Sequence, residues 1–198
     1  MENEKKNSLK PKKLKKEAKI ALIIVLLTII CALLFMLFNM IRNNSATSEL
    51  AEFNSYREDI PYVYASIDTQ NIERRFINKE TFVLFIGSAD DPASDELVPI
   101  LNETASNCGF SDVNIINVEG MDIAELNALT DMVTQYYSSE YEGSHFVTTP
   151  SILFVKDGTI IGANIGTVDG HNAYYRTLTE EERNMAVNNL TGLFGQIE

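Results

Sequence analysis

The chain has 198 residues, 45% of them apolar, and a formal net charge of −12 that is unevenly divided. Residues 1–19 carry eight lysines against three glutamates (+5), whereas residues 43–198 carry seven basic residues against 25 acidic ones (−18). A domain this acidic does not bind nucleic acid through its phosphates, and two cysteines, Cys31 and Cys108, provide no intrachain disulfide framework.

In chain order, residues 1–19 read as a lysine-rich tail without a core-forming pattern. Residues 20–41 are 22 almost wholly apolar residues without a charge, long enough to span a bilayer as one helix. The lysines before them place the N-terminus in the cytoplasm and the rest of the chain outside the cell membrane, a single-pass arrangement. A cleaved signal peptide would have a shorter apolar region followed by a small-x-small site. Residues 42–60 form a polar linker and a short helix from Glu49 to Arg57, capped by Ser48.

The remaining residues, 61–198, are enough for one domain with a real core. Tyr62–Ser66 reads as a strand, and Asp68 or Thr69 caps a helix whose apolar face is Ile72, Phe76 and Ile77. The continuous apolar run ending Phe82-Val83-Leu84-Phe85-Ile86 suits a strand buried on both faces, spanning Thr81–Ile86. Beyond Gly87, Asp91 and Pro92 open a helix to about Cys108, with Pro99 inside it. Val113–Val118 is the next strand, parallel to the first by a right-handed crossover. Met121–Tyr137 is a helix with Ile123, Leu126, Leu129, Met132, Val133 and Tyr136 on one face. Thr149-Pro150 then leads into a strand, a Lys156-Asp157-Gly158 hairpin turn and a second strand. Gly166 and Gly170 mark the exit, and Thr179–Glu182 is a capping box for a last helix towards Leu193.

This order, an apolar strand running through a loop into a helix N-terminus, then about fifty residues later Thr-Pro and a hairpin, resembles the thioredoxin-like superfamily. The closest resemblance is to membrane-anchored thioredoxin-like proteins of Gram-positive bacteria, including the bacteriocin-transport accessory type. It implies an α/β thioredoxin-like fold, a central mixed sheet flanked by helices, preceded by a single transmembrane helix. It also implies a cis bond before Pro150 and a Thr149-Pro150 loop lying against the helix N-terminus. Where that type carries Cys-Pro-x-Cys, this chain reads Asp91-Pro92-Ala93-Ser94. Thiol exchange needs a thiolate to attack and a second thiol to resolve, so the expectation is a redox-inactive module with no catalytic residues and no cofactor.

The expected role is an extracytoplasmic accessory or peptide-binding module in secretion or envelope processes, holding a secreted or membrane protein partner beside Thr149-Pro150. The alternatives are an oxidoreductase acting through Cys108 or a partner's thiols, and a structural subunit of a membrane complex. Asp90, Asp91, Asp95 and Glu96 gather acidic residues at the presumed edge, but without a calcium-loop spacing they read as solvated carboxylates and no metal is expected. His145 and His171 lack the company of a zinc site; His145, just before Thr149, reads as a surface histidine in reach of the edge. Tyr136, Tyr137 and Tyr141 read as partly packed rings at a helix end.

Overall fold

The computed structural model describes residues 23–37, 49–57, 59–143, 145 and 147–197, which fall in two units divided at Ile41 and Arg42. In the first unit, residues 23–37 form helix α1, with every side chain exposed. Among the described residues no helix is long and apolar enough to cross a membrane. The flanks of the expected 20–41 span, the lysine tail and the Ser48 cap lie outside the described residues.

The second unit is a five-stranded sheet in the order β1-β3-β2-β4-β5, formed by β1 (Tyr64–Ser66), β2 (Phe82–Gly87), β3 (Val113–Asn117), β4 (Ser151–Lys156) and β5 (Thr159–Ile165). β1, β3 and β2 are parallel, while β4 runs antiparallel to both β2 and β5. The helices are α2 (Thr69–Ile77), α3 (Pro92–Asn107), α4 (Ile123–Thr134) and α5 (Glu180–Ile197).

β2 is apolar throughout because it sits in the middle of the sheet and both its faces are covered. Side chains alternate across a strand, so Val83 and Phe85 enter one core with Leu97 and Leu101 of α3 and Leu190 and Phe194 of α5. Phe82, Leu84 and Ile86 enter the other, with Ile72 and Phe76 of α2 and Leu129 and Val133 of α4. β4 divides in the same way, with Ile152 and Phe154 on the first face and Leu153 and Val155 on the second. The four helices expected within residues 61–198 all form, and their caps are the short polar residues that precede them. Asp68, rather than Thr69, caps α2 by accepting from the Asn71 N–H. Thr179 and Glu182 exchange capping hydrogen bonds at the start of α5.

Several boundaries and faces depart from the sequence reading, each for a local reason. β1 begins at Tyr64 rather than Tyr62, since the Val63 N–H donates to Asn102 Oδ1 at 2.9 Å instead of to the sheet. α4 starts after Asp122, which forms a capping box with Glu125, and ends at Thr134. Past it the chain pairs with β5, Tyr136 O accepting from Ile160 N and Ser138 N donating to Ile160 O. The first turn of α4 is uncovered: Ile123 is 80% exposed, and only Leu129, Met132 and Val133 of the expected face are buried within the helix. Likewise Ile77, at the end of α2, is exposed while Ile72 and Phe76 are buried. The residues from Glu49 to Tyr56 form a helical start followed by turns rather than a full helix, anchored by Leu50 and Phe53 in the core.

Pro99 sits inside α3, where it removes the N–H that would reach the Asp95 carbonyl. The Tyr64 hydroxyl donates to the neighbouring Val98 carbonyl at 2.7 Å, and complete burial pushes its ionisation well above the ordinary tyrosine range.

Candidate functional site

The loop from β2 to α3 is built from short polar residues that satisfy one another. Asp91 is the N-cap of α3: its carboxylate accepts from the N–H groups of Ala93 and Ser94, and a carboxylate also suits the positive end of the helix. Pro92 follows at the first helical position, where a missing N–H costs nothing. Ser94 is wholly buried; its hydroxyl donates to Asp91 Oδ2 at 2.7 Å and accepts from the Ser88 N–H at 3.1 Å. Close approach of α3 to the strand end requires Gly87, where a Cβ would lie 2.6 Å from the Phe85 ring and 3.3 Å from Ser94 Cβ.

Ser94 is therefore a strut between the loop and the N-cap of α3. Ser94→Ala leaves the nearly buried Ser88 N–H without an acceptor and is expected to cost about 1–3 kcal/mol. Urea unfolding at neutral pH measures it; an unchanged midpoint would show that the hydroxyl holds nothing.

The Thr149-Pro150 peptide bond is cis. Ser151, the first residue of β4, fixes the approach to it by accepting from the Thr148 N–H and donating to the Thr148 carbonyl. On the far side, the Gly166 N–H donates to the Pro150 carbonyl at 2.8 Å, so the chain leaving β5 closes against the proline. Among the described residues, neither the N–H nor the carbonyl of Thr149 is hydrogen-bonded.

A cleft of about 680 Å³ joins these parts, lined by Asp91 and Ala93, by Thr149 and Pro150, by the segment after β5 and by the α5 residues Met185 and Asn189. Pro92 and Ser94 belong to the same loop but do not line it. Asn164 of β5 is held by two amide contacts, donating to the Gly166 carbonyl and accepting from Asn189, which ties β5 to α5.

The outer wall, residues 166–174, and the stretch that follows to Leu178 have no regular structure of their own; Arg176 ties the stretch to Glu182, and Glu96 pins both wall and stretch. Glu96 Oε2 lies 2.7 Å from His171 Nε2, and Oε1 accepts from the Leu178 N–H at 3.0 Å. The His171 ring is fully buried and its Nδ1 has no partner among the described residues. Sequence reading missed this pair because 75 residues separate its members and neither sits in a motif. The other carboxylates of the supposed acidic cluster are also individually engaged: Asp90 with the Ser88 hydroxyl, Asp95 with the Ser55 N–H at 2.7 Å. Among the described residues no group of three or more His, Cys, Asp or Glu could hold a metal ion.

His145 is not part of the cleft lining. It stacks on Tyr137 and Tyr141, with centroid separations of 4.8 and 5.6 Å, and burial pushes the Tyr137 hydroxyl up to about 12. Tyr136 instead stacks on Phe76 in the core between α2 and α4. Cys108 caps the far end of α3, half-buried against the core, a whole helix away from Asp91.

A five-stranded mixed sheet with helices on both faces and a cis proline opening β4 fits a thioredoxin-like fold. Solved structures that resemble the chain include a poplar wild-type thioredoxin h, at 16% identity over 54% of this chain and 86% of that one, with a TM-score of 0.33. No family model matches the chain, and no curated protein does.

Proposed function

We propose that this is a membrane-anchored, extracytoplasmic thioredoxin-like protein that holds an extended segment of a secreted or membrane protein without exchanging thiols with it, as an accessory module in secretion or envelope processes. The observation that carries the reading is the cleft itself, bordered by the N–H and carbonyl of Thr149, which have no partner among the described residues. An unpaired backbone edge is the part of a protein to which a further strand adds, main-chain hydrogen bonds giving affinity and side-chain pockets specificity. The absence of thiol exchange rests on chemistry. Asp91 and Ser94 occupy the start of α3, and neither can form a mixed disulfide. The support for the anchor is the sequence: 22 nearly uninterrupted apolar residues at 20–41 behind a lysine-rich start.

The test uses the full-length chain in mild detergent and a fluorescein-labelled heptapeptide alternating valine and glutamine, followed by anisotropy. Saturable binding is expected, weakened about tenfold when the peptide's central amides are N-methylated, because the methyl group removes the donor to the Thr149 carbonyl and crowds the edge. Equal affinity of the methylated peptide, or no binding of either, rejects strand addition at this edge.

A further inference from the structure

We infer that the segment taken by this cleft is cationic, with lysine or arginine on the side chains that face the 166–174 wall; this rests on the strand-addition reading above. The residues lining the cleft include two carboxylates, Asp91 and Asp169, and no lysine or arginine. The two carboxylates are not equivalent. Asp91 is saturated by its own helix, accepting from Ala93 N, Ser94 N and Ser94 Oγ. Asp169 is exposed and has neither a hydrogen bond nor an ion pair among the described residues.

Among the described residues no cation of the protein is paired with Asp169. Arg57, Arg75, Arg176 and Arg183, four of the seven basic residues beyond position 42, are each paired with a carboxylate elsewhere. The one ionisable nitrogen heterocycle on the cleft wall, His171, is turned into the protein and held by Glu96.

The rim supplies what a long cationic side chain needs besides a counter-charge. Tyr174 and Met185 line the cleft yet are 72% and 54% exposed. A lysine or arginine buries its aliphatic stem on such surface while its head stays polar, and a tyrosine face attracts the cation directly. The net −18 of residues 43–198 adds a long-range field that speeds the encounter with a cationic partner and disfavours an acidic one.

The experiment compares three labelled heptapeptides alternating valine with lysine, glutamine or glutamate on the full-length chain in detergent. The lysine peptide is expected to bind about tenfold more tightly than the glutamine peptide at low salt, the glutamate peptide weakest. Asp169→Asn is expected to weaken the lysine peptide about threefold and leave the glutamine peptide unchanged. Tyr174→Ala acts in the same direction, and Glu140→Gln, an exposed carboxylate outside the cleft lining, has no effect. Equal binding of lysine and glutamine peptides overturns the cationic preference while strand addition stands. A loss in Glu140→Gln as large as in Asp169→Asn means diffuse attraction and also overturns it. Tighter binding of every peptide after deletion of residues 2–19 assigns the cleft to the chain's own lysines and overturns an external partner. Failure of all three peptides to bind removes the strand-addition reading as well.

Discussion

Joint replacement of Asp91→Cys and Ser94→Cys is expected to make this protein a catalyst of disulfide reduction. The geometry favours it at both positions. Asp91 is the partly exposed N-cap and Ser94 is buried three residues on, with their side-chain tips already 2.7 Å apart. A thiol at the N-cap faces the helix N-terminus, which stabilises thiolate. Lowering its pKa from about 8.5 to about 7 raises the thiolate fraction at pH 7 roughly fifteenfold. The accompanying fall in nucleophilicity takes back part of that gain, so about a tenfold acceleration over an unpaired thiol is expected. The buried second thiol resolves the mixed disulfide, and the cis-Pro150 loop borders the same cleft as Asp91. The replacement sacrifices the Asp91 cap, about 1 kcal/mol, together with the strut at Ser94. Reduction of insulin disulfides by dithiothreitol is the assay, with each single variant as control. A double variant that keeps its circular dichroism yet forms no internal disulfide, or turns over no faster than the single variants, shows that this frame is not arranged for exchange.

The second large effect is expected from Glu96→Ala. That carboxylate, with its side chain 15% exposed, is the shared acceptor for His171 and Leu178. Removing it leaves a fully buried ring with both nitrogens unpaired and a stranded backbone N–H, each omission costing about 1–3 kcal/mol. A total near 3 kcal/mol is expected in urea, with part recovered by Glu96→Gln, which keeps an acceptor. The wall from 166 to 174 loses its pin, so affinity for the valine–glutamine peptide falls as well. His171→Phe removes the polar groups that would be stranded and is expected to make Glu96→Ala cheaper by about 1–3 kcal/mol in a double-mutant cycle. Additive losses in that cycle would mean that the two side chains meet in space without supporting each other.

Much of the architecture is written in short stretches of sequence. Phe82–Ile86 announces a central strand because five consecutive apolar residues, β-favouring and closed by Gly87, suit a strand covered on both faces. Asp91-Pro92 and Thr179–Glu182 announce helix starts because few residue types satisfy the orphan N–H groups there. The hairpin at Lys156–Gly158 follows from turn chemistry, with Asp157 and Gly158 both at positive φ. Faces were less legible. Ile77, Ile123 and Leu126 fit their helical stripes yet are exposed, since periodicity specifies a face and not whether another element reaches it.

Taken by itself, the sequence determined the order of elements, the place of the central strand, the hairpin after Pro150 and the absence of cysteine from the start of α3, while the cis bond before Pro150 was expected from the resemblance alone. These depend on residues a few positions apart, where backbone sterics and capping act. The tertiary structure alone decided that residues 166–174 form a cleft wall, that Glu96 pins it through His171, and that Asp169 lines the cleft with no cation paired to it among the described residues. The Glu96 contacts join residues 75 and 82 positions apart, brought together by the parallel crossovers and the antiparallel return of the sheet. No local preference encodes such a pairing; it exists only once both cores have closed on β2.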